Sequence, residues 1–201
     1  MVGGTGAGIQ VAGSQTNVAI RNGTVRSWSN TGVFTFFAKN TQLERLAVSA
    51  NGGGGISAGN NTTVLGCTAA SNSSVGILVL DGSLVKDCAA QSNTGIGFQA
   101  NSGCTVSDCS ASSNQGGIQV GEGSTVNGCT ARGNTQHGIT TTGSSTVSGC
   151  TSPVPLNERT PCDEKEDHKT AEAIQARRPR QDLKPKKDAK GGARGDKFHE
   201  Y

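Results

Sequence analysis

The segment that decides the fold reads V-L-G-C-T-A-A-S-N at residues 64–72, V-K-D-C-A-A-Q-S-N at 85–93, V-S-D-C-S-A-S-S-N at 106–114 and V-N-G-C-T-A-R-G-N at 126–134. A fifth copy begins as V-S-G-C-T at residues 147–151. The cysteines of successive copies lie at positions 67, 88, 109, 129 and 150, so the period is 20 or 21 residues. A period of this length, kept over several copies, is the signature of a solenoid in which each repeat packs on its neighbours.

The residues within each repeat indicate strands and turns. Short runs rich in Val, Ile and Ala alternate with Gly, Asn, Ser and Asp, a pattern typical of brief strands joined by turns. Helical repeats need about 33 residues or more, and leucine-rich repeats carry a Leu-x-x-Leu-x-Leu signature that this chain lacks. We therefore predict an all-β parallel β-helix, whose coils stack at roughly 4.8 Å.

Two columns of apolar residues give the number of coils. Each has seven members, and a glycine precedes every member of the first. The first column is Ile9, Val33, Ile56, Ile77, Ile96, Ile118 and Ile139, and the second is Val18, Leu43, Val64, Val85, Val106, Val126 and Val147. Seven coils follow, and we expect the glycines to supply positive φ angles at a corner of each coil. We interpret Trp28 and the aromatic cluster Phe34, Phe36 and Phe37 as a cover over an end or side of the solenoid.

Asparagines and cysteines form two further columns. The asparagines, which follow the equivalent strand in five successive coils, are Asn51, Asn72, Asn93, Asn114 and Asn134. Stacked Asn side chains can hydrogen-bond along a solenoid, so we favour a structural ladder over a row of ligand-binding amides. The cysteines are Cys67, Cys88, Cys109, Cys129 and Cys150. In-register side chains point the same way, which strains a disulfide between neighbours, so we predict a reduced, buried ladder of small apolar residues.

One pair of acids is a candidate binding site. Asp87 and Asp108 occupy equivalent positions in adjacent repeats, with Lys86 nearby as a partner. Two carboxylates about 5 Å apart can hold Ca²⁺ or act as acid and base on a glycan. We favour a plainer interpretation, in which both are exposed turn residues, because Gly66 and Gly128 stand at the same position in the flanking repeats. Neither a metal nor another cofactor is predicted.

Charge and hydropathy exclude several classes of protein. Residues 1–152 contain five acids and six bases, and no stretch of 18 or more apolar residues that would predict a membrane span. No signal peptide precedes the first repeat.

We predict two regions, a β-helix domain at 1–152 and a charged, disordered tail at 153–201. The tail holds 12 Lys/Arg and 10 Asp/Glu; its acids dilute its basic run, so nucleic acid is not the expected partner.

The residues also resemble a known family. The phrases at 13–28 (G-S-Q-T-N-V-A-I-R-N-G-T-V-R-S-W) and 43–56 (L-E-R-L-A-V-S-A-N-G-G-G-G-I), with the V-x-[GD]-C-x-A-x-x-N repeats, are similar to bacterial right-handed parallel β-helix repeat proteins of the pectin-lyase-like superfamily. The resemblance covers residues 1–152 and implies a right-handed coil, in agreement with the general preference for right-handed crossovers. It also implies a secreted or cell-surface location. Such proteins usually carry a leader and further coils, so we interpret the chain as a fragment.

The resemblance does not select one activity, because the superfamily includes pectate lyases, pectin esterases, polygalacturonases and tailspike-like proteins. Clustered Asp motifs with Gly-His-Gly, or an acidic Ca²⁺ cluster with a catalytic Arg, are missing, so no catalytic residue is carried over. Our first hypothesis is a non-catalytic extracellular or surface module that binds carbohydrate or a protein partner. The alternative is a fragment of a polysaccharide lyase or glycoside hydrolase whose active site lies on missing coils.

Overall fold

The computed structural model describes residues 1–153, which form a right-handed parallel β-helix of seven coils. Nineteen strands build this part of the chain, without any helix. The predicted tail at 153–201 lies, apart from its first residue, outside the described residues.

The strands form two parallel sheets that run the length of the solenoid. The seven-stranded sheet has one strand from each coil: β2 (Ile9–Gln10), β4 (Val33–Thr35), β6 (Ile56–Ala58), β9 (Ile77–Val79), β12 (Ile96–Ala100), β15 (Gly116–Val120) and β18 (His137–Thr141). The twelve-stranded sheet contains β1 (Val2–Gly4), β3 (Ala19–Trp28), β5 (Gln42–Ser49), β7 (Thr63–Leu65), β8 (Thr68–Ala70), β10 (Leu84–Lys86), β11 (Ala89–Gln91), β13 (Thr105–Ser107), β14 (Ser110–Ser112), β16 (Thr125–Asn127), β17 (Thr130–Arg132) and β19 (Thr146–Ser148).

A bend divides the twelve-stranded sheet into two columns of short strands. In the first coils the long strands β3 and β5 run across the bend, and β5 pairs with both β7 and β8. The residue at the bend has a positive φ in every coil, whether or not it is glycine, as with Arg45 (51°) and Gly66 (60°). The cysteine of each repeat follows directly after this bend, so the bend turns its side chain towards the interior.

The core is a set of inward-facing columns, as the repeat predicts. The largest buried side chains include Phe98, Leu43 and several Ile and Val residues, each less than 2% exposed. Small residues fill the remaining columns, since the space between two sheets of a β-helix is narrow. Stacking of identical positions thus supplies a continuous core from a chain that is only 32% hydrophobic.

The strand register corrects two members of the predicted columns. In the glycine-preceded column, Phe98 pairs with Ile77 and Ile118, whereas Ile96 lies half-buried on the outer side of the same strand. In the other column, the first member is Ile20, which pairs with Leu43. The residues 95–98 read G-I-G-F, so two glycine-preceded apolar residues compete for one inward position, and the coil-to-coil backbone pairing selects the second.

The glycines before the first column do not have the positive φ that we expected. Gly76 and Gly117, for example, are absent from the residues with left-handed backbone, while the bend glycine Gly66 is among them. These glycines are required for a different reason, which is space. A Cβ on Gly76 would lie 2.7 Å from the carbonyl oxygen of Gly97 and 2.8 Å from Nδ2 of Asn93.

Candidate functional site

The asparagine column forms a continuous ladder of buried amides. Asn51 Nδ2 donates to Asn72 Oδ1 at 2.9 Å, and Asn72 Nδ2 donates to Asn93 Oδ1 at 3.0 Å. The same oxygens accept backbone N–H groups, as from Asn72 N to Asn93 Oδ1 at 3.0 Å. Asn114 and Asn134 continue the pattern. All five are buried, so these amides are occupied by each other and do not face solvent.

The cysteine column is likewise directed inwards. Cys67, Cys88, Cys109 and Cys129 are at most 3% exposed, and Cys150 in the last coil is half-buried. None of the cysteines in residues 1–153 forms a disulfide. Each thiol of the column contacts the backbone carbonyl two residues before it, as Cys109 Sγ does with Ser107 O at 3.1 Å. Contact with the Cys88 side chain, together with burial, raises the pKa of Cys67.

Cys104 belongs to a different column, which is made of hydroxyl groups. Thr62, Ser83 and Ser124 occupy the same position in other coils, and the Cys104 backbone N–H donates to Ser124 Oγ at 3.1 Å. The Cys104 thiol donates to Leu80 O at 3.2 Å, and burial raises its pKa. Sulfur therefore replaces oxygen at one position of a buried Ser/Thr ladder.

We expect the Cys104→Ser variant to lose less stability in alkali than the wild-type protein. A thiol whose pKa is raised by folding keeps its proton in the folded state, so unfolding is favoured as the pH rises above the ordinary thiol value of about 8.5. Urea denaturation at pH 7, 9 and 10 measures how steeply the free energy of unfolding falls with pH. The other buried thiols remain in the variant, so we expect its stability still to fall with pH, but less steeply than that of the wild type. An equally steep fall in both proteins would contradict the contribution of Cys104.

The structure brings two of the three candidate binding residues together at the bend. Lys86 Nζ lies 3.6 Å from Asp108 Oδ2, and both side chains are about half exposed. Asp87 is exposed on the adjacent coil, and both aspartates have a φ of 54°. Aspartate tolerates this left-handed conformation better than most residues, which gives both carboxylates a role in the bend. An exposed ion pair of this kind contributes about 0–1 kcal/mol.

In residues 1–153, no three side chains of the His, Cys, Asp and Glu types are grouped so that they could hold a metal ion. The same part of the chain has no helix long and apolar enough to cross a membrane.

A second surface stands out on the outer face of the seven-stranded sheet, and none of the predicted binding residues lies on it. One outward residue from each coil stacks in register, and we call these residues the outer row: Gln10, Phe34, Ser57, Leu78, Gln99, Gln119 and Thr140. The choice of Ile96 as the inward residue would place Gly97 in this row instead of Gln99. The irregular spacings of 19 and 22 residues around Ile96 were the available signal, because Phe98 restores spacings of 21 and 20.

Three aromatic rings lie together at one end of the outer row. The ring centroids of Phe34 and Phe36 are 6.1 Å apart in a stacked arrangement, and Phe37 meets both edge-on, at 5.8 and 5.3 Å. Phe37 is 60% exposed. By contrast, Trp28 packs against the core. The exposed ring of Phe37 and the half-buried rings of Phe34 and Phe36 therefore form an apolar platform at the surface, although aromatic side chains of this size usually bury most of their surface.

A groove of about 240 Å³ lies towards the other end of the outer row. Gly116 has no side chain between Ile96 and His137 in its column, which leaves a notch in the sheet surface. The lining residues are Ile96, Gly116, Gly117, Ile118, Gln119, Gln136, His137 and Thr140. Within the described residues, the side-chain amides of Gln99 and Gln119 make no hydrogen bond. The groove thus combines apolar surface with polar groups that can bind a ligand.

The architecture defines the class, which is a parallel β-helix solenoid whose interior is filled by buried side chains. The sequence model of the protein family described as the right handed beta helix region matches residues 7–152. The chain therefore belongs to this family. A search of curated protein sequences gave no significant match.

Two of the solved structures that are similar to this chain are named as an epimerase and a lyase. The A-module of the mannuronan C-5 epimerase AlgE4 of Azotobacter vinelandii is similar, with a TM-score of 0.51, 11% identity, and coverage of 72% of this chain and 57% of that module. The pectate lyase Pel9A has a TM-score of 0.41 and 18% identity over 73% of this chain and 50% of its own. At 11% identity the likeness to the epimerase module shows the fold alone. The chain spans 57% of the length of the epimerase module and 50% of the length of the pectate lyase.

Proposed function

We propose that this protein is a non-catalytic β-helix module that binds a polysaccharide along the outer row. The exposed platform of Phe34, Phe36 and Phe37 carries the proposal. A cluster of aromatic rings left in water costs free energy unless a partner covers it, and such patches mark binding sites. Sugar rings present flat C–H faces that can lie on such rings while their hydroxyls remain available for hydrogen bonds.

The polar part of the outer row supplies those hydrogen bonds. The amides of Gln99 and Gln119 each offer two donors and one acceptor oxygen, and Thr140 adds a hydroxyl. Four coil spacings separate Phe34 from Gln119, which at roughly 4.8 Å each makes about 19 Å. An extended chain of several sugars can contact both ends of such a surface, whereas a monosaccharide cannot.

The charged side chains support a binding role over a catalytic one. Hydrolysis of a glycoside commonly uses two carboxyl groups that face the same bond. Asp87 and Asp108, the pair on adjacent coils, lie at the bend of the twelve-stranded sheet, not on the seven-stranded sheet that carries the outer row. A location outside the cell, where polysaccharides are found, is part of the same proposal.

We expect the double variant Phe36→Ala/Phe37→Ala to bind its polysaccharide about tenfold more weakly, because removal of the two rings costs about 1.4 kcal/mol of binding free energy. Affinity gel electrophoresis of the full chain, in gels with xyloglucan, galactomannan, polygalacturonate or alginate, measures the retardation. Leu65→Ala is the matched control, since it removes a half-buried apolar side chain from the outer face of the twelve-stranded sheet.

Equal retardation of the double variant and the wild type would show that the platform is not the binding site. Retardation by none of the polymers would remove the carbohydrate proposal and leave a protein partner as the remaining form of the first hypothesis. The enzyme alternative is tested with the same chain. Release of unsaturated or reducing ends from polygalacturonate or alginate would overturn the non-catalytic assignment.

A further inference from the structure

We propose that the polysaccharide bound by the outer row is uncharged. This inference rests on the proposed function and specifies its ligand. Residues 1–152 contain eleven Asp, Glu, Lys and Arg residues, yet none of them lies in a strand of the seven-stranded sheet. A surface that spans seven coils without a formal charge is unsuited to a polymer that carries a carboxylate on every sugar.

Five of the six bases of this region lie on the twelve-stranded sheet, and several are already paired. Arg21 lies 3.2 Å from Glu44, and Lys86 lies 3.6 Å from Asp108. Arg26 and Arg132 are in strands β3 and β17, which also belong to the twelve-stranded sheet. These cations therefore face away from the outer row and cannot neutralise a ligand bound there.

The charged residues in the turns that follow strands of the seven-stranded sheet are more acidic than basic. Asp81 and Glu122 lie in the turns that follow strands β9 and β15, and Lys39 lies in the turn that follows β4. All three are exposed. Two acids against one base give this border a net charge of −1, which repels a polyanion.

The hydrogen-bonding groups of the outer row match hydroxyls better than carboxylates. An amide side chain both donates and accepts, as a sugar hydroxyl does, whereas a carboxylate only accepts. A carboxylate that loses water on this face would meet no cation to compensate for desolvation. A neutral chain of sugars has no charge to desolvate, so amides and aromatic rings are sufficient to bind it.

Matched pairs of polymers test the inference. The pairs are polygalacturonate and alginate, each against its carboxyl-reduced form, and carboxymethylcellulose against hydroxyethylcellulose. The backbone linkage within each pair is the same, so charge is the main difference. We expect the wild-type chain to bind at least one neutral polymer, with binding about tenfold weaker for its charged counterpart.

Tighter binding to a charged polymer than to its neutral form, with loss of that binding in Phe36→Ala/Phe37→Ala, would overturn the inference and leave the proposed function intact. Binding to no polymer of the set, or binding that the double variant retains in full, would overturn both.

A gain-of-function variant provides an independent test. Gln99→Lys/Gln119→Lys adds two cations to adjacent coils of the outer row. We expect it to retard in polygalacturonate gels about fivefold more than the wild type, with the gain lost at high salt. The matched control is Thr105→Lys/Thr125→Lys, which adds two cations to adjacent exposed positions of the twelve-stranded sheet. Equal gains in both variants would contradict a binding surface specific to the outer row.

Discussion

Replacement of Asn93 by alanine lowers the free energy of unfolding by about 3 kcal/mol, because several buried groups lose their partners together and each costs about 1–3 kcal/mol. The Asn93 oxygen accepts from both N and Nδ2 of Asn72, at 3.0 Å each. Its Nδ2 donates to Ala69 O and to Asn114 Oδ1, also at 3.0 Å. Asn93 is only 3% exposed, so water does not readily replace these bonds. Urea denaturation followed by circular dichroism measures the change.

Asn127→Ala is the matched control for Asn93→Ala, because Asn127 is an exposed asparagine in strand β16. Its side chain accepts one bond from Ser148 Oγ at 3.3 Å on the surface, so we expect a change within about 0.5 kcal/mol. Hydrogen exchange gives a local measurement, since Asn93→Ala removes the acceptor of the Asn72 amide and should accelerate its exchange. If the two variants unfold at the same urea concentration, the ladder does not stabilise the solenoid.

Replacement of Gly117 by alanine destabilises the protein by about 3 kcal/mol or more, since overpacking of a rigid interior costs about 1–3 kcal/mol and this site cannot relax easily. A Cβ at Gly117 would lie 2.1 Å from Gly138 O, 2.8 Å from Asn134 Nδ2 and 2.9 Å from Ala131 Cβ. The first of these atoms is backbone, the second belongs to the asparagine ladder and the third to the core. The coil must therefore shift, and the strain passes to the next coil.

Gly23→Ala is the control for Gly117→Ala. Gly23 also lies in a strand without positive φ, but a Cβ there would meet only Leu46 Cδ2, at 3.8 Å, an ordinary contact. We expect no loss of stability in this control, measured as the urea midpoint. Gly117→Asn separates crowding from backbone strain. Asparagine tolerates a left-handed backbone, but it carries a Cβ and therefore clashes with the same atoms as alanine does. Recovery of stability by Asn would contradict crowding as the reason for glycine.

The outer row and the contacts that stabilise the solenoid lie in different parts of each coil. The ladder and the glycines hold successive coils in register, and this register sets which residues face outwards. Variants of the outward-facing residues Phe37, Gln99 or Gln119 leave those internal contacts in place. Binding and stability are therefore separable in this protein by experiment.

The repeat alone determined most of the architecture. Because each coil is a copy of the last, a residue's environment is set by its position in the period, and the period is visible without coordinates. The number of coils and the parallel strands follow from it and are confirmed. The right-handed coil, which was predicted from the family resemblance and the general preference for right-handed crossovers, is confirmed as well. Small residues such as those of the cysteine column suit a narrow interior, and the structure places them there.

Only the tertiary structure decided the register of the irregular coils and the identity of the outer face. In G-I-G-F at residues 95–98, local pattern does not distinguish Ile96 from Phe98; backbone bonds to the coils on either side do, and they place Gln99 beside Gln119. The same holds for the glycines, since crowding by a carbonyl of the next coil is invisible in the local sequence. Contacts between residues about 20 positions apart carry this information, and a short pattern cannot contain it.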